Sequence, residues 1–467
     1  MVPSGTYVVE GGWLLAYEKG RHRLIRNGSM LIKRDHIAEV RSGRISGNLP
    51  RLSVPDHLVM PGFINGHTHV ASGTPTRGLI EGGRSYGRPI ELVENLSDAE
   101  LDDLTAFNLA EILKSGCTTH VEMSLSLRQA ESYVRVAKKW GCRGYPGGMI
   151  PGVLRLDKIW FRKDDKVLFR SVGGTLAEIE ANLAFGRKHM NAGDGRIKPM
   201  MSPHASDTQT EETLTALVAA ARELGTGIHI HLSQRATETA AVRRLWGGLS
   251  PAQWLEKHGA FDGPLFGAHM MAIDWRTDPA ILIKHGAVYA HCPSAGGAGG
   301  ATQPYPEALA AGIPTTVAID THSNDFVENL KLAVIGGKAR AKLMADRVPV
   351  KMPTIWAAVE GATLVAAKGL GRDDLGRLTP GAKADFSTID VSGFLFGAGS
   401  APPEPLNNLL YCNGAAVKNV ATDGRLQVFD GRLTVADEAD VFARGAQAVQ
   451  KVWKGLTKEK WFTPTSR

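Results

Sequence analysis

Cysteine is scarce in this chain. Only Cys117, Cys142, Cys292 and Cys412 occur in 467 residues, far apart and without a CxxC pair. That excludes a disulfide scaffold or a cysteine-rich zinc module and suits a reducing compartment. An acidic excess is also missing: 54 Lys and Arg stand against 47 Asp and Glu, a formal +7. The basic residues are scattered, so no stripe or tail exists to track a nucleic-acid backbone, and at most the charge favours anionic or electron-rich ligands. No apolar run reaches the length of a membrane span, and MVPSGTYVVEGG has no basic region leading into an apolar stretch, so neither membrane anchorage nor secretion is expected. Internal repeats are absent, and GGAGGA at 296–301 reads as a loop requiring small residues. What remains is an ordinary globular composition, 43% apolar, too long for one core. The expected protein is a cytoplasmic enzyme acting on a small molecule, with no nucleic-acid or membrane partner.

The chain changes texture twice. Residues 6–55 read as short strands, with Asn27-Gly28 as a hairpin signal, and a similar texture returns at about 376–435 with Pro-Gly and Asp-Gly punctuation. Segments 1–56 and 371–436 are therefore expected to form one small β-sandwich. The middle, 57–370, alternates apolar strands with amphipathic helices, as parallel βα units do. Ser97 and Glu100 form a capping box ahead of one such helix, which Gly116 ends. Strand ends fall near His69, Glu122, Met149, His204, His231, His269, His291 and Asp320, eight in all, which predicts an α/β fold built on a (β/α)8 TIM-like barrel. Residues 150–175 interrupt the alternation as a loop or hairpin. Residues 437–467 should hold a final helix burying Phe442, Ala446, Val449, Val452 or Trp453, and Leu456 against the barrel or a neighbouring subunit.

Catalytic groups of such barrels gather at the C-terminal strand ends, and six of the eight ends carry His or Asp. His67 and His69, two apart on an extended run, point to one face, which suits a borderline divalent metal. His229 and His231, His269, and Asp320 lie on other strand ends. Three imidazoles and one carboxylate would leave a coordination position open for water.

PGFINGHTH, TRGLIEGG, SPHA, HIHLSQ, GAHM, HCPSA, AIDTHSND and GRLTPGAKADF, spread over nearly the full length, together resemble the amidohydrolase superfamily, in particular the branch of triazine hydrolases and guanine deaminases. The resemblance implies His67, His69, His231 and Asp320 as ligands of one divalent ion, with zinc expected ahead of iron, cobalt or manganese. It places His269 beside the bound water. His229 falls outside the ligand pattern and is expected as a hydrogen-bonded core histidine. The bridging lysine of binuclear relatives has no counterpart, since Lys198 stands six residues before His204.

In the resulting mechanism the metal lowers the pKa of bound water, Asp320 takes its proton and His269 steadies the developing negative oxygen. Gln234 stands where nucleobase deaminases of the family carry the glutamate of an HxxE motif, and an amide cannot cycle a proton. That favours a urea-, amide- or carbamate-like C–N bond, as in phenylurea and thiocarbamate hydrolases of xenobiotic degradation. The alternatives are a triazine chlorohydrolase or an aminohydrolase of a heteroaromatic amine, with Glu122 or Glu81 supplying the acid, and a non-catalytic scaffold homologue. Gln234, His204, His291 and Arg84 are expected to touch substrate, and Tyr86, Met149, Trp160, Phe161 and Arg77 to lie near it. A homodimer or higher homo-oligomer is expected.

Overall fold

The computed structural model describes residues 2–458 except 80–83, 85–86, 157–158, 160–162, 299 and 401. The chain opens with four strands, β1 (Thr6–Glu18), β2 (Arg21–Lys33), β3 (His36–Ser42) and β4 (Arg51–Pro61). Lys19 and Gly20, both at positive φ, supply the tight turn between β1 and β2, the backbone twist that two-residue hairpins require. The expected turn at Asn27-Gly28 is not formed. Both residues lie inside β2, where Asn27 adopts φ 50° and its carbonyl accepts from Gly43 N–H at 2.8 Å. The left-handed preference of Asn is spent on an irregularity within a strand instead.

Eight parallel strands follow: β5 (Phe63–Thr68), β6 (Cys117–Ser124), β7 (Arg143–Ile150), β8 (Ser202–Pro203), β9 (Ile228–Leu232), β10 (Leu265–His269), β11 (Val288–His291) and β12 (Thr315–Val317). They pair as two four-stranded sheets, β5-β6-β7-β8 and β12-β11-β10-β9. Parallel bridges Met201–Ile228 and Ala205–His231 link one pair of edges and Thr68–Asp320 links the other, an arrangement consistent with the expected TIM-like barrel. Gly66, just before His67, faces this interior: a Cβ there would stand 2.3 Å from Thr316 Cγ2, so the close approach of β5 to β12 needs glycine.

The connecting helices form for local reasons. Asp98–Lys114 carries the predicted capping box, with Ser97 Oγ accepting from Glu100 N–H and the Glu100 carboxylate accepting from Ser97 N–H, and it ends ahead of Gly116 at φ 96°. Its Leu101, Leu104, Leu109, Ile112 and Leu113 are buried. After β7, Val153 and Phe169 form an isolated antiparallel bridge, within the segment expected as a loop or hairpin.

Four further strands, β13 (Phe386–Asp390), β14 (Val417–Thr422), β15 (Arg425–Phe429) and β16 (Arg432–Leu433), complete one continuous sheet of order β16-β15-β14-β13-β4-β1-β2-β3. The two ends of the chain thus fold together through the antiparallel β13–β4 pair. Buried Arg143 of β7 ties this sheet to the parallel strands by donating to Asp385 (3.0 Å) and Asp423 (2.6 Å). The last helix, Glu438–Lys458, buries Val441, Gly445, Ala448, Val449, Val452 and Leu456. Val449, Val452 and Leu456 are buried as expected, with Val452 rather than Trp453 facing inward, but Phe442 is exposed and Ala446 half-buried, because Gly445 sits where any Cβ would strike Phe107 of helix Asp98–Lys114. Among the described residues no helix is long and apolar enough to cross a membrane, and all four cysteines are buried free thiols.

Candidate metal centre

The strand ends bring His67, His69, His231, His269 and Asp320 into one buried cluster, none more than 8% exposed. Where the β5–β6 register shifts between Asn65 and Thr68, His67 in β5 and His69 one residue past its end both turn into the cluster, with ring centroids 4.7 Å apart, and His231 from β9 stands 4.9 Å from His67. The Asp320 carboxylate lies 3.4 Å from His69 Nε2, 3.9 Å from His67 Nε2 and 3.7 Å from His269 Nε2.

The far side of each imidazole explains this convergence. His69 Nδ1–H donates to the Met123 carbonyl at 2.5 Å and His231 Nδ1–H to the His204 carbonyl at 2.8 Å. A carbonyl can only accept, so in the neutral rings both Nε2 atoms keep their lone pairs. His67 Nδ1 meets His229 Nε2 at 2.7 Å. His229 is therefore a hydrogen-bonded core histidine, as expected, and it orients His67. Metal-binding histidines are held by such outer contacts.

Burial pushes the imidazoles down, His69 to about 3, His231 to about 4, and His67 and His269 well below the ordinary value, while it pushes the Asp320 carboxyl up to about 7. A charge-poor pocket of neutral donors results. His67 Nε2 and His269 Nε2 are buried without a hydrogen-bond partner, a desolvation cost a cation would remove at His67. Donor atoms of His67, His69 and His231 lie mutually within 4.8 Å, as do those of His67, His269, Cys292 and Asp320. The donor set fits a divalent ion.

Backbone strain concentrates here. His269 (φ 76°), Met270 (φ 44°), Ser233 (φ 47°) and Asp320 (φ 60°) all occupy the left-handed region, a cost of about 1–3 kcal/mol each that persists at functional sites.

A cavity of about 320 Å³ opens onto the cluster, lined by His69, His231, His269 and Asp320, and by Met149, Leu125, Gln234, Arg235, Gln303 and His322 among others. Gln234 and Met149 thus reach the cavity. His204 and His291 do not line it: the His204 ring packs 5.1 Å from His231, and His291 stacks on Tyr305 with Nδ1 3.0 Å from Gln303 Oε1. Arg84 does not line it either, and Arg77 instead makes a bidentate pair with Glu111. Glu81, Tyr86, Trp160 and Phe161 lie outside the described residues. Lys198 bonds to Asn191 and pairs through its backbone with Gly144, at the opposite end of the strands.

Two buried carboxylates stand behind the cluster, of which Glu238 carried no signal of its own in the sequence. Glu238, buried and pushed up to about 8, accepts from Ser206 Oγ and from the Ser233 and Gln234 N–H groups, and so fixes the turn that presents Gln234. Glu122, also raised to about 8 by burial, accepts from Val70 N–H and Ser124 Oγ rather than facing the cavity. Cys292 could have been noticed beside His291. Gln303 could not.

Residues 58–427 match the Amidohydrolase family, and the chain belongs to it. A relative from Symbiobacterium thermophilum, a 5-methylthioadenosine/S-adenosylhomocysteine deaminase, is 31% identical over 406 residues, covering 82% of this chain and 85% of its own. Among solved structures, a zinc-bound adenosine deaminase from Xanthomonas campestris superposes with a TM-score of 0.80 at 21% identity, over 97% of this chain and all of its own. The zinc complex of atrazine chlorohydrolase from Arthrobacter aurescens does so with a TM-score of 0.80 at 19%, over 95% and 100%. Membership makes this an enzyme class acting on carbon–nitrogen bonds of small molecules.

Proposed function

We propose that this chain is a metal-dependent aminohydrolase that replaces the exocyclic amino group of a heteroaromatic amine by oxygen, with one divalent cation, zinc foremost, held by His67, His69, His231 and Asp320. One observation carries the site: buried imidazole nitrogens, their opposite edges already committed, converge on the Asp320 carboxylate. The bond attacked is supported by the deaminases among the relatives. The reading takes 57–370 as a closed (β/α)8 barrel, 1–56 with 371–436 as a β-sandwich beside it, and 437–467 as a C-terminal helix and tail.

A divalent ion supplies Lewis acidity that makes water a competent nucleophile near neutral pH. Asp320, which lines the cavity beside the imidazoles, would take the proton from that water and pass it to the departing nitrogen. His269 donates to the oxygen as charge develops. Gln234, at the cavity wall, donates a hydrogen bond to a ring nitrogen or carbonyl and fixes the substrate's orientation. Met149 and Leu125 give the ring an apolar wall.

A second reading keeps the site and changes the bond. Asp320 is the one carboxylate lining the cavity among the described residues, and Gln234 cannot protonate a ring, which favours C–N cleavage of a urea-, amide- or carbamate-like molecule. The zinc-reconstituted enzyme should be offered aminopurine nucleosides, aminotriazines, phenylureas and carbamates while ammonia, organic amine and chloride are measured. Ammonia from aminopurines or aminotriazines supports the first reading; organic amine from ureas supports the second. Inactivity on every member with metal bound overturns both.

A further inference from the structure

The histidines of the cluster are not equivalent, and the difference comes from what sits behind them. His69 and His231 present Nδ1–H to carbonyl oxygens, which leaves Nε2 bare for a cation. Behind His269 stands the side chain of Gln303, 4% exposed, whose nitrogen is 3.4 Å from His269 Nδ1.

The orientation of that amide is fixed independently. Gln303 Oε1 accepts from the Cys292 backbone N–H at 2.9 Å, and His291 Nδ1 approaches the same oxygen at 3.0 Å. A backbone N–H can only donate, so the amide cannot turn over without setting two donors face to face. Its NH2 group must therefore face His269. An NH2 donates, so His269 Nδ1 must accept, and the single proton of the neutral ring resides on Nε2. A charged ring would carry a proton on Nδ1 as well and set it against the Gln303 NH2, so the contact itself requires the neutral form. His269 Nε2 lies 3.7 Å from Asp320 Oδ2 and has no hydrogen-bond partner of its own, so its N–H points into the cluster unsatisfied.

We infer that Gln303 is a positioning residue that sets the Nε2–H tautomer of His269, which makes His269 a hydrogen-bond donor to the reacting oxygen and bars it from the metal. The inference rests on the metal-hydrolase reading for the oxygen that receives the donor, but not for the tautomer. It separates two roles that distance alone confuses, because the donor atoms of His269 are as close to His67 and Asp320 as ligand spacing requires. It also gives His291 a function away from the cavity: its ring, stacked on Tyr305, braces the amide oxygen of Gln303.

Full-length protein with nitrogen-15 in its histidine rings tests this directly. In both metal-free protein and protein loaded with the NMR-active isotope of cadmium, His269, assigned by its loss in His269→Asn, should show a pyrrole-like Nε2 and a pyridine-like Nδ1. Nitrogen–cadmium coupling should appear at His67, His69 and His231 but not at His269. Gln303→Glu, nearly the same size and still able to accept from Cys292 N–H, replaces the donor with an acceptor. It should invert the His269 tautomer, bring His269 into coupling with cadmium and lower kcat with little change in KM. A pyrrole-like Nδ1 or cadmium coupling at His269 in the unmodified protein would overturn the inference, as would an unchanged tautomer in Gln303→Glu. Failure to bind cadmium at all would sink the metal reading alone, since the metal-free spectrum still decides the tautomer.

Discussion

Replacing His229 by leucine should lower metal affinity while leaving metal-free stability nearly unchanged. His229 is fully buried and touches the site only through the 2.7 Å contact with His67 Nδ1. For His67 to offer a bare Nε2, its proton must sit on Nδ1 and be accepted by His229 Nε2. His229 then carries its own proton on Nδ1, which is buried without a partner. Loss of such an outer contact weakens metal binding by about 10- to 100-fold, or about 1.4–2.7 kcal/mol. An unsatisfied buried donor costs about 1–3 kcal/mol; leucine removes the one at His229 Nδ1 but strands the buried His67 Nδ1 in its place, so the two changes offset in the metal-free state. Zinc affinity measured against a competing chelator should therefore fall within that range, while the thermal midpoint of the metal-free protein changes little. A zinc affinity unchanged within about threefold would refute the orienting role, and a large change in metal-free stability would refute the offset between the two Nδ1 groups.

Asp320→Asn should abolish turnover with unchanged far-ultraviolet circular dichroism, because it removes the proton acceptor and a ligand but not the backbone pairing of the strand end. Gln234→Glu should raise ammonia release from heteroaromatic amines by on the order of 10²-fold, the contribution of a placed general acid, and leave urea cleavage no faster; initial rates on the two substrate classes decide. Arg143→Met leaves the buried Asp385 without its cation, while Asp423 keeps Arg196 at 3.2 Å, and should cost about 3–5 kcal/mol in denaturant unfolding. Burial already holds the Asp385 carboxyl above its ordinary value, so its folded form binds more protons than the unfolded chain and stability declines as pH rises through that pKa. The variant's deficit should therefore shrink on acidification, which parallel unfolding curves at several pH values would show.

What was legible in the sequence was whatever follows from periodicity within one element. The two-residue spacing of His67 and His69 at the end of an extended run reads as one face, and Ser97 with Glu100 announces a helix start because the capping box is local. Contacts that depend on which strands become neighbours were not legible. Gln303 reaches His269 across 34 positions, and nothing about a glutamine after a glycine-rich loop signals that role. The same holds for Glu238, whose link to the site runs through two backbone N–H groups. Asn27-Gly28 carried a sound turn signal, but Lys19-Gly20 met the same backbone requirement between longer paired runs. In the last helix, two adjacent faces have helical spacing, and only the position of Phe107 against Gly445 chooses between them.

The two four-stranded sheets meet at seams held by isolated bridges, and the cluster straddles both. Thr68 pairs with Asp320 at one seam, where Asp320 N–H donates to the His67 carbonyl at 3.0 Å, and Ala205 pairs with His231 at the other. A cation gripped by His67, His69, His231 and Asp320 would act as a rivet through two half-shells, so its binding energy doubles as closure energy. At a thousandfold excess over Kd that amounts to about 4.1 kcal/mol. Chelation should then loosen the shell along its seams before it loosens either sheet. The amides of His69, His231 and Asp320 should lose hydrogen-exchange protection while those within β6 and β10 keep theirs.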